Sequence, residues 1–78
     1  MKVTVYSTPA CPWCHRAKEF LKQHSIKFTE INVADDSKAA EEMIAKSGQM
    51  GVPVIDVDGQ IIIGFDKPRL EKALRLAK

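Results

Sequence analysis

Cys11-Pro12-Trp13-Cys14 is the stretch from which the fold of this chain can be worked out. A short β-rich run, Val3 to Tyr6, precedes it, and a helical pattern begins at Pro12, where the missing N–H of proline costs no hydrogen bond. The two cysteines, the only ones in the chain, therefore lie where a strand ends and a helix begins. A thiol at a helix start faces unpaired backbone N–H groups and the positive end of the helix dipole. Both favour the thiolate, which is the reactive form of cysteine.

The segments that follow alternate between helical and extended patterns. The helix after the cysteines shows an apolar stripe at helical spacing, formed by Cys14, Ala17, Phe20, Leu21 and His24. Ser25 ends this helix, and Ile26 to Val33 is a second β-like segment. The turn from Ala34 to Ser37 offers N-cap residues for a second helix, which Gly48 ends. We expect the buried stripe of that second helix to consist of Ala40, Met43 and Ile44.

The last third of the chain predicts a hairpin and a final helix. Asp58-Gly59 separates two β-branched runs, Val54 to Val57 and Gln60 to Ile63, and is a strong hairpin signal. Asp66 is a suitable N-cap for a helix whose buried face is formed by Leu70, Ala73, Leu74 and Ala77. The order β-α-β-α-β-β-α predicts an α/β fold, with a mixed four-stranded sheet flanked by three helices.

The composition is that of a small soluble protein. The chain has 78 residues, of which 45% are hydrophobic and 28% charged, with a net charge of +2. This length leaves room for one domain, over residues 1–78, and we expect it to be monomeric. We expect a cytoplasmic protein, because there is no signal peptide or membrane-spanning run. The weak net charge and few aromatic residues give no basis for nucleic-acid binding.

Two closely spaced cysteines allow three kinds of chemistry. With His15 they complete the Cys-x-x-Cys-His pattern of haem attachment, which disagrees with a βαβ chain that lacks an export signal. A structural zinc site needs about four ligands, and a helix starting at Pro12 does not bring His15 and His24 together with both cysteines. We therefore predict no metal site and no bound cofactor, and we interpret the pair as a thiol–disulfide exchange site.

The two cysteines are expected to have different roles. Cys11, at the helix start, is the predicted nucleophile, and Cys14, one turn in on the apolar side, is the predicted buried resolving thiol. Trp13 is expected to cover the disulfide and to contact the partner. Lys18 is expected to be an ordinary solvated surface charge.

Taken together, these motifs resemble the glutaredoxin branch of the thioredoxin superfamily. Residues 11–18 are similar to the CPYCxxAK active site of that family, and Val52-Pro53 is similar to its Val-Pro element. The resemblance implies a thioredoxin fold in which Pro53 is cis and lies beside Cys11. It also implies that the backbone of Val52 pairs with a bound peptide or with glutathione. The substrate-binding residues that follow from it are Pro12, Trp13, Val52, Pro53, Gly64, Phe65 and Asp66.

The same resemblance implies disulfide-containing proteins as substrates, and glutathione or a flavin-dependent thioredoxin reductase as electron donor. Three positions depart from glutathione-using members: no Lys occurs in Ser7-Thr8-Pro9-Ala10, Gly51 replaces a Thr, and Gly64-Phe65-Asp66 lacks a second acidic residue. These departures remove anchors for glutathione and favour the small glutaredoxin-like redoxins. The alternatives are an iron–sulfur or metal carrier using Cys11, and a redox-regulated binding module.

Overall fold

A computed structural model describes residues 2–75 of the chain. The elements are β1 (Val3–Ser7), α1 (Pro12–Gln23), β2 (Thr29–Asn32), α2 (Ser37–Ser47), β3 (Val54–Val57), β4 (Gln60–Ile63) and α3 (Lys67–Ala73). Their order and kind confirm the predicted β-α-β-α-β-β-α sequence and the α/β fold. None of the helices within this range is long and apolar enough to cross a membrane.

The four strands form one mixed sheet in the order β2-β1-β3-β4. Strand β1 runs parallel to β2, with Tyr6 opposite Ile31, and antiparallel to β3, with Tyr6 opposite Val54. The chain leaves the carboxyl end of β1 at Ser7 and enters α1 at Pro12. Strand β1, one of the two inner strands, therefore leads directly into the turn that carries the cysteines, and β2 and β3 pair with it on either side.

Alternate residues of the sheet serve two hydrophobic cores. Val3 and Val5 face a cluster with Leu21 of α1 and Leu70 of α3, while Tyr6 faces the other side of the sheet and packs with Met43 of α2. Helices α1 and α3 thus cover one face of the sheet and α2 covers the other. This arrangement follows from the period of two along a strand, which sends successive side chains to opposite faces.

A polar network joins α2 to the sheet beside the smaller core. The hydroxyl of Tyr6 donates to Glu42 Oε1 at 2.8 Å, and Lys46 Nζ donates to Tyr6 OH at 2.8 Å and to Asp56 Oδ2 at 2.9 Å. Burial raises the pKa of Tyr6 above its ordinary value. Burial also tends to raise the pKa of Asp56, but hydrogen bonds from Lys46 and the Gly59 N–H hold it below its ordinary value. These bonds tie one helix to two strands.

The Asp-Gly hairpin forms as predicted. Asp58 and Gly59 have φ values of +50° and +94°, and β3 pairs with β4 in antiparallel register. Positive φ at both central residues is the geometry whose twist matches that of the flanking strands. The Asp56 carboxylate accepts a hydrogen bond from the Gly59 N–H at 2.8 Å and reinforces the turn.

Two sequence-based expectations about the core were inaccurate. The buried residues of α2 are Ala39 and Met43, whereas Ile44 is 37% exposed, because this short helix turns only a narrow face to the sheet. His24 is exposed at the end of α1, and its ring lies against that of Phe20, with 4.5 Å between the centroids and the planes tilted by 59°.

The limits of two elements also differ from the sequence-based expectation. Strand β2 is shorter than the predicted 26–33, since Ile26 and Phe28 pack against the larger core before strand pairing begins at Thr29. In the last helix Leu70 and Leu74 are buried as expected, and the predicted contact of Ala77 lies outside the described residues.

Candidate active site

Cys11 is the N-cap residue of α1. Its backbone is extended, with φ −93° and ψ 111°, and its Sγ accepts a hydrogen bond from the backbone N–H of Cys14 at 3.3 Å. The side chain is half-buried, so an incoming disulfide can reach the sulfur. A side chain that accepts from the first turn satisfies one of the free N–H groups of the helix, and that N–H stabilises negative charge on the sulfur.

Cys14 lies one turn further along and is completely buried. Burial raises the pKa of its thiol to about 11, and the hydrogen bond with Cys11 acts in the same direction. Hydrogen bonding to Thr8 and the charge of Lys18 partly oppose this shift. Both cysteines are free thiols in the structure. Their unequal exposure matches the division of roles that the sequence predicts.

Lys18 is not the solvated surface residue that we expected. Its side chain is only 15% exposed, and its Nζ lies 2.6 Å from Glu30 Oε2. Glu30 also accepts from the Ser7 hydroxyl at 3.3 Å, and the hydrogen bond from Lys18 lowers the pKa of the Glu30 carboxyl. The expectation was therefore wrong, because the fold brings the ammonium group of Lys18 in α1 against the carboxylate of Glu30 in β2.

Val52 and Pro53 lie beside the first cysteine. The Val52–Pro53 peptide bond is cis and Pro53 is buried. The Sγ of Cys11 lies 3.8 Å from the carbonyl oxygen of Val52, although 41 positions separate the two residues in the chain. The tertiary fold thus brings together the two motifs that the sequence shows far apart.

A groove of about 260 Å³ opens next to the cysteines. Five of the seven predicted substrate-binding residues line it, namely Trp13, Val52, Pro53, Gly64 and Phe65. The Trp13 side chain is 55% exposed, and the guanidinium of Arg16 lies 5.1 Å from its ring centroid. The lining of the groove therefore combines two aromatic side chains, Trp13 and Phe65, with the cis-proline segment Val52-Pro53.

The other two predicted binding residues lie outside the lining of the groove. Pro12 is exposed in the first turn of α1 between the cysteines. Asp66 is the N-cap of α3: its carboxylate accepts from the Arg69 N–H at 3.3 Å and lies 3.4 Å from Arg69 Nε. The Asp66 carboxylate is thus already engaged by its own helix.

Two further features have bearing on the site. Within residues 2–75, no three His, Cys, Asp or Glu side chains are grouped closely enough to hold a metal ion.

The side chain of Gln49 hydrogen-bonds to both the N–H and the carbonyl of Gly51, just before Val52. Sequence reasoning missed Gln49, because a polar loop residue carries no pattern, and the glycine at position 51 was the only signal.

Comparisons with known proteins agree with this geometry. A family model described as Glutaredoxin matches residues 3–62. The chain is 53% identical over 72 residues to a glutaredoxin-like 8.6 kDa protein of a rubredoxin operon in Clostridium pasteurianum, covering 92% of this chain and 96% of the relative.

Solved structures show the same likeness. The glutaredoxin of Archaeoglobus fulgidus superposes with a TM-score of 0.87 at 28% identity, covering 94% of this chain and 85% of that one. The glutaredoxin-like NrdH-redoxin of Escherichia coli, described as having a thioredoxin-like activity profile, superposes with a TM-score of 0.81 at 29% identity, covering 100% and 97%. The predicted thioredoxin-like fold is confirmed.

Proposed function

The chain belongs to the glutaredoxin family and is a thiol–disulfide oxidoreductase, and from this premise we propose that it reduces disulfides of proteins and small molecules through Cys11 and Cys14. One observation carries the proposal: a half-buried Cys11 at a helix start, with a buried Cys14 one turn behind it. Two thiols in this relation can accept one sulfur of a substrate and then expel it.

The first step is attack of the Cys11 thiolate on one sulfur of the substrate disulfide. The substrate S–S bond breaks, a mixed disulfide forms with Cys11, and the other substrate sulfur leaves as a thiolate that takes a proton from water. The backbone N–H of Cys14, 3.3 Å from Cys11 Sγ, stabilises the attacking thiolate.

The second step releases the product. Cys14 gives its proton to solvent and attacks Cys11 Sγ, so that the Cys11–Cys14 disulfide forms and the second substrate thiol departs. Two electrons have then passed from the cysteine pair to the substrate. An external donor must return them before the next cycle.

Substrate binding in this proposal uses the groove and the backbone beside it. Trp13 and Phe65 supply apolar walls, and the main chain of Val52 pairs with an extended stretch of substrate next to the disulfide. Backbone pairing accepts many sequences, since it relies on groups that every residue carries. We therefore propose that the protein reduces disulfides in a broad range of protein substrates and is not restricted to one small molecule.

We favour a flavin-dependent thioredoxin reductase over glutathione as the electron donor. The loop Ser7-Thr8-Pro9-Ala10 offers no lysine for a glutathione carboxylate, and Asp66 is occupied by Arg69. The likeness to an NrdH-redoxin described as thioredoxin-like in activity supports the same choice. A reducing compartment such as the cytoplasm suits such a cycle.

Two measurements test the proposal. Cys11→Ser should abolish the acceleration by the protein of insulin reduction with dithiothreitol, and Cys14→Ser should accumulate mixed disulfides that mass spectrometry detects. Turnover that survives in Cys11→Ser contradicts the mechanism, and failure of Cys14→Ser to trap substrate reverses the assigned roles. The donor is identified by reducing the same oxidised protein with glutathione plus its reductase, and with thioredoxin reductase, each supplied with NADPH.

A further inference from the structure

The side-chain amide of Gln49 makes two hydrogen bonds to the backbone of Gly51. Its Oε1 accepts a hydrogen bond from the Gly51 N–H at 2.6 Å, and its Nε2 donates to the Gly51 carbonyl oxygen at 3.0 Å. The carboxamide is suited to this task, because it carries one acceptor and one donor group side by side. The bond pattern also fixes the orientation of the amide, since the reverse orientation would face donor with donor.

Gln49 is itself held by the end of α2. The preceding residue, Gly48, caps that helix with φ +74°. The Ser47 hydroxyl lies 2.7 Å from the Met43 carbonyl oxygen and accepts from the Gln49 N–H at 3.4 Å. The position of Gln49 is therefore set by the end of α2, a helix that packs on the sheet.

The hydrogen bonds from Gln49 to Gly51 determine the orientation of the Val52 N–H. The Gly51 carbonyl and the Val52 N–H belong to one planar peptide unit, and in a trans unit they point in opposite directions. The Val52–Pro53 bond, by contrast, is the cis bond found within residues 2–75. The bond from Nε2 to the Gly51 oxygen thus points the Val52 N–H away from Gln49, while the Val52 carbonyl lies 3.8 Å from Cys11 Sγ.

The absence of a side chain at Gly51 leaves room for the carboxamide of Gln49. Gly51 lacks the positive φ of Gly48, Gly59 and Gly64, so its backbone does not demand glycine. A Cβ at this position, however, would lie 2.6 Å from Gln49 Oε1, closer than real Cβ contacts. Gln49 and Gly51 therefore form a matched pair, in which the small residue leaves the space that the side chain of the other fills.

We propose that Gln49 is a positioning residue for disulfide reduction, which holds the Gly51–Val52 peptide in the orientation that pairs with an extended protein substrate. The proposal rests on the proposed function, and it adds a specificity determinant outside the cysteine motif. Gln49 is not among the residues that line the groove, and its side-chain hydrogen bonds go to Gly51 rather than to either cysteine. Its effect should be confined to substrates that use backbone pairing.

Two variants separate the two hydrogen bonds, and a third serves as the control. Gln49→Met keeps the length of the side chain and loses both bonds, while Gln49→Glu keeps an acceptor for the Gly51 N–H but loses the donor to the Gly51 oxygen. Gln60→Met, at an exposed position in β4, is the matched control. Each variant is assayed on insulin with dithiothreitol as reductant. Each is also reduced, freed of dithiothreitol and mixed with dithionitrobenzoate, a small disulfide that needs no backbone pairing.

We expect Gln49→Met and Gln49→Glu to raise the KM for insulin about 5- to 10-fold, the effect of one lost hydrogen bond, with little change in kcat. The rate at which the reduced protein reacts with dithionitrobenzoate should change less than about 2-fold. Hydrogen exchange at the Gly51 amide should accelerate in Gln49→Met and stay slow in Gln49→Glu. Unchanged insulin kinetics in both variants, or equal losses with both disulfides, would overturn the positioning role.

Gly51→Ala tests the pair in a double-mutant cycle. It should raise the insulin KM in the wild-type background by displacing Gln49, and have no further effect in Gln49→Met. Additive effects would refute the matched pair. Absence of insulin turnover by the unmodified protein would refute the proposed function instead, whereas normal turnover with silent Gln49 variants refutes only the role of Gln49.

Discussion

Raising the pH from about 6.5 to about 8.5 should accelerate the second half of the exchange, the attack of Cys14 on the mixed disulfide, by about 100-fold. Only the Cys14 thiolate can attack, and burial raises the pKa of this thiol to about 11. A thiol well below its pKa gains thiolate tenfold for each pH unit. The rate of product release should therefore follow pH without a plateau across this range.

The size of the pH effect depends on how far the Cys14 pKa stays raised in the mixed disulfide. Once Cys11 is bonded to substrate, its sulfur carries no charge, and its contribution to the raised Cys14 pKa is lost. Burial, the largest cause, remains because the substrate covers the site further. The Cys14 pKa should then lie between the ordinary 9.0 and about 11, which leaves at most about one thiol in 100 ionised at pH 7.

Stopped-flow absorbance measures this step directly. Dithionitrobenzoate releases one coloured thiolate when Cys11 attacks and a second when Cys14 attacks, so the second phase reports Cys14. The Cys14→Ser variant is the control and should show the first phase alone. A second phase whose rate levels off below about pH 8 would refute the inference that burial keeps Cys14 protonated.

Three other substitutions probe groups that the fold brings together. Lys18→Met removes a positive charge that lowers the pKa of Cys14, so the second phase should be slower than in the wild type at every pH below its plateau. Tyr6→Phe removes the hydroxyl that accepts from Lys46 and should lower the free energy of unfolding by about 1 kcal/mol in urea titrations; an unchanged midpoint would mean that water replaces the bond at no cost. Gly59→Ala forces a side chain onto a residue with φ +94° and should cost about 1–2 kcal/mol by the same measurement, and a stable variant would show that the turn has changed type.

The sequence alone was sufficient for the local structure around the cysteines. Pro12 and the spacing of Cys14, Ala17 and Leu21 are properties of a single helix, and the structure has that helix at Pro12–Gln23. Asp58-Gly59 likewise specifies its hairpin through two residues that tolerate positive φ. Such features depend on backbone preferences within a few residues, and a linear pattern records them.

The sequence could not determine which face of α2 is buried against the sheet. Ala40, three residues before Met43, has as good a helical spacing with it as Ala39, four residues before, but it is Ala39 that is buried against the sheet. The choice is made by where the helix axis lies over β1 and β3. That position depends on contacts between segments far apart in the chain.

Tertiary structure alone decided how the site is assembled around Cys11-Pro12-Trp13-Cys14. The approach of Val52 to Cys11 and the ion pair of Lys18 with Glu30 join residues that no local pattern relates. The grip of Gln49 on Gly51 spans only two positions, yet it depends on the loop path that leads from α2 into the sheet. The sequence predicted which thiols react, because their place at a helix start is a local feature. Packing determined the burial of Cys14 and the approach of Val52 to Cys11, because burial and proximity are properties of the folded chain.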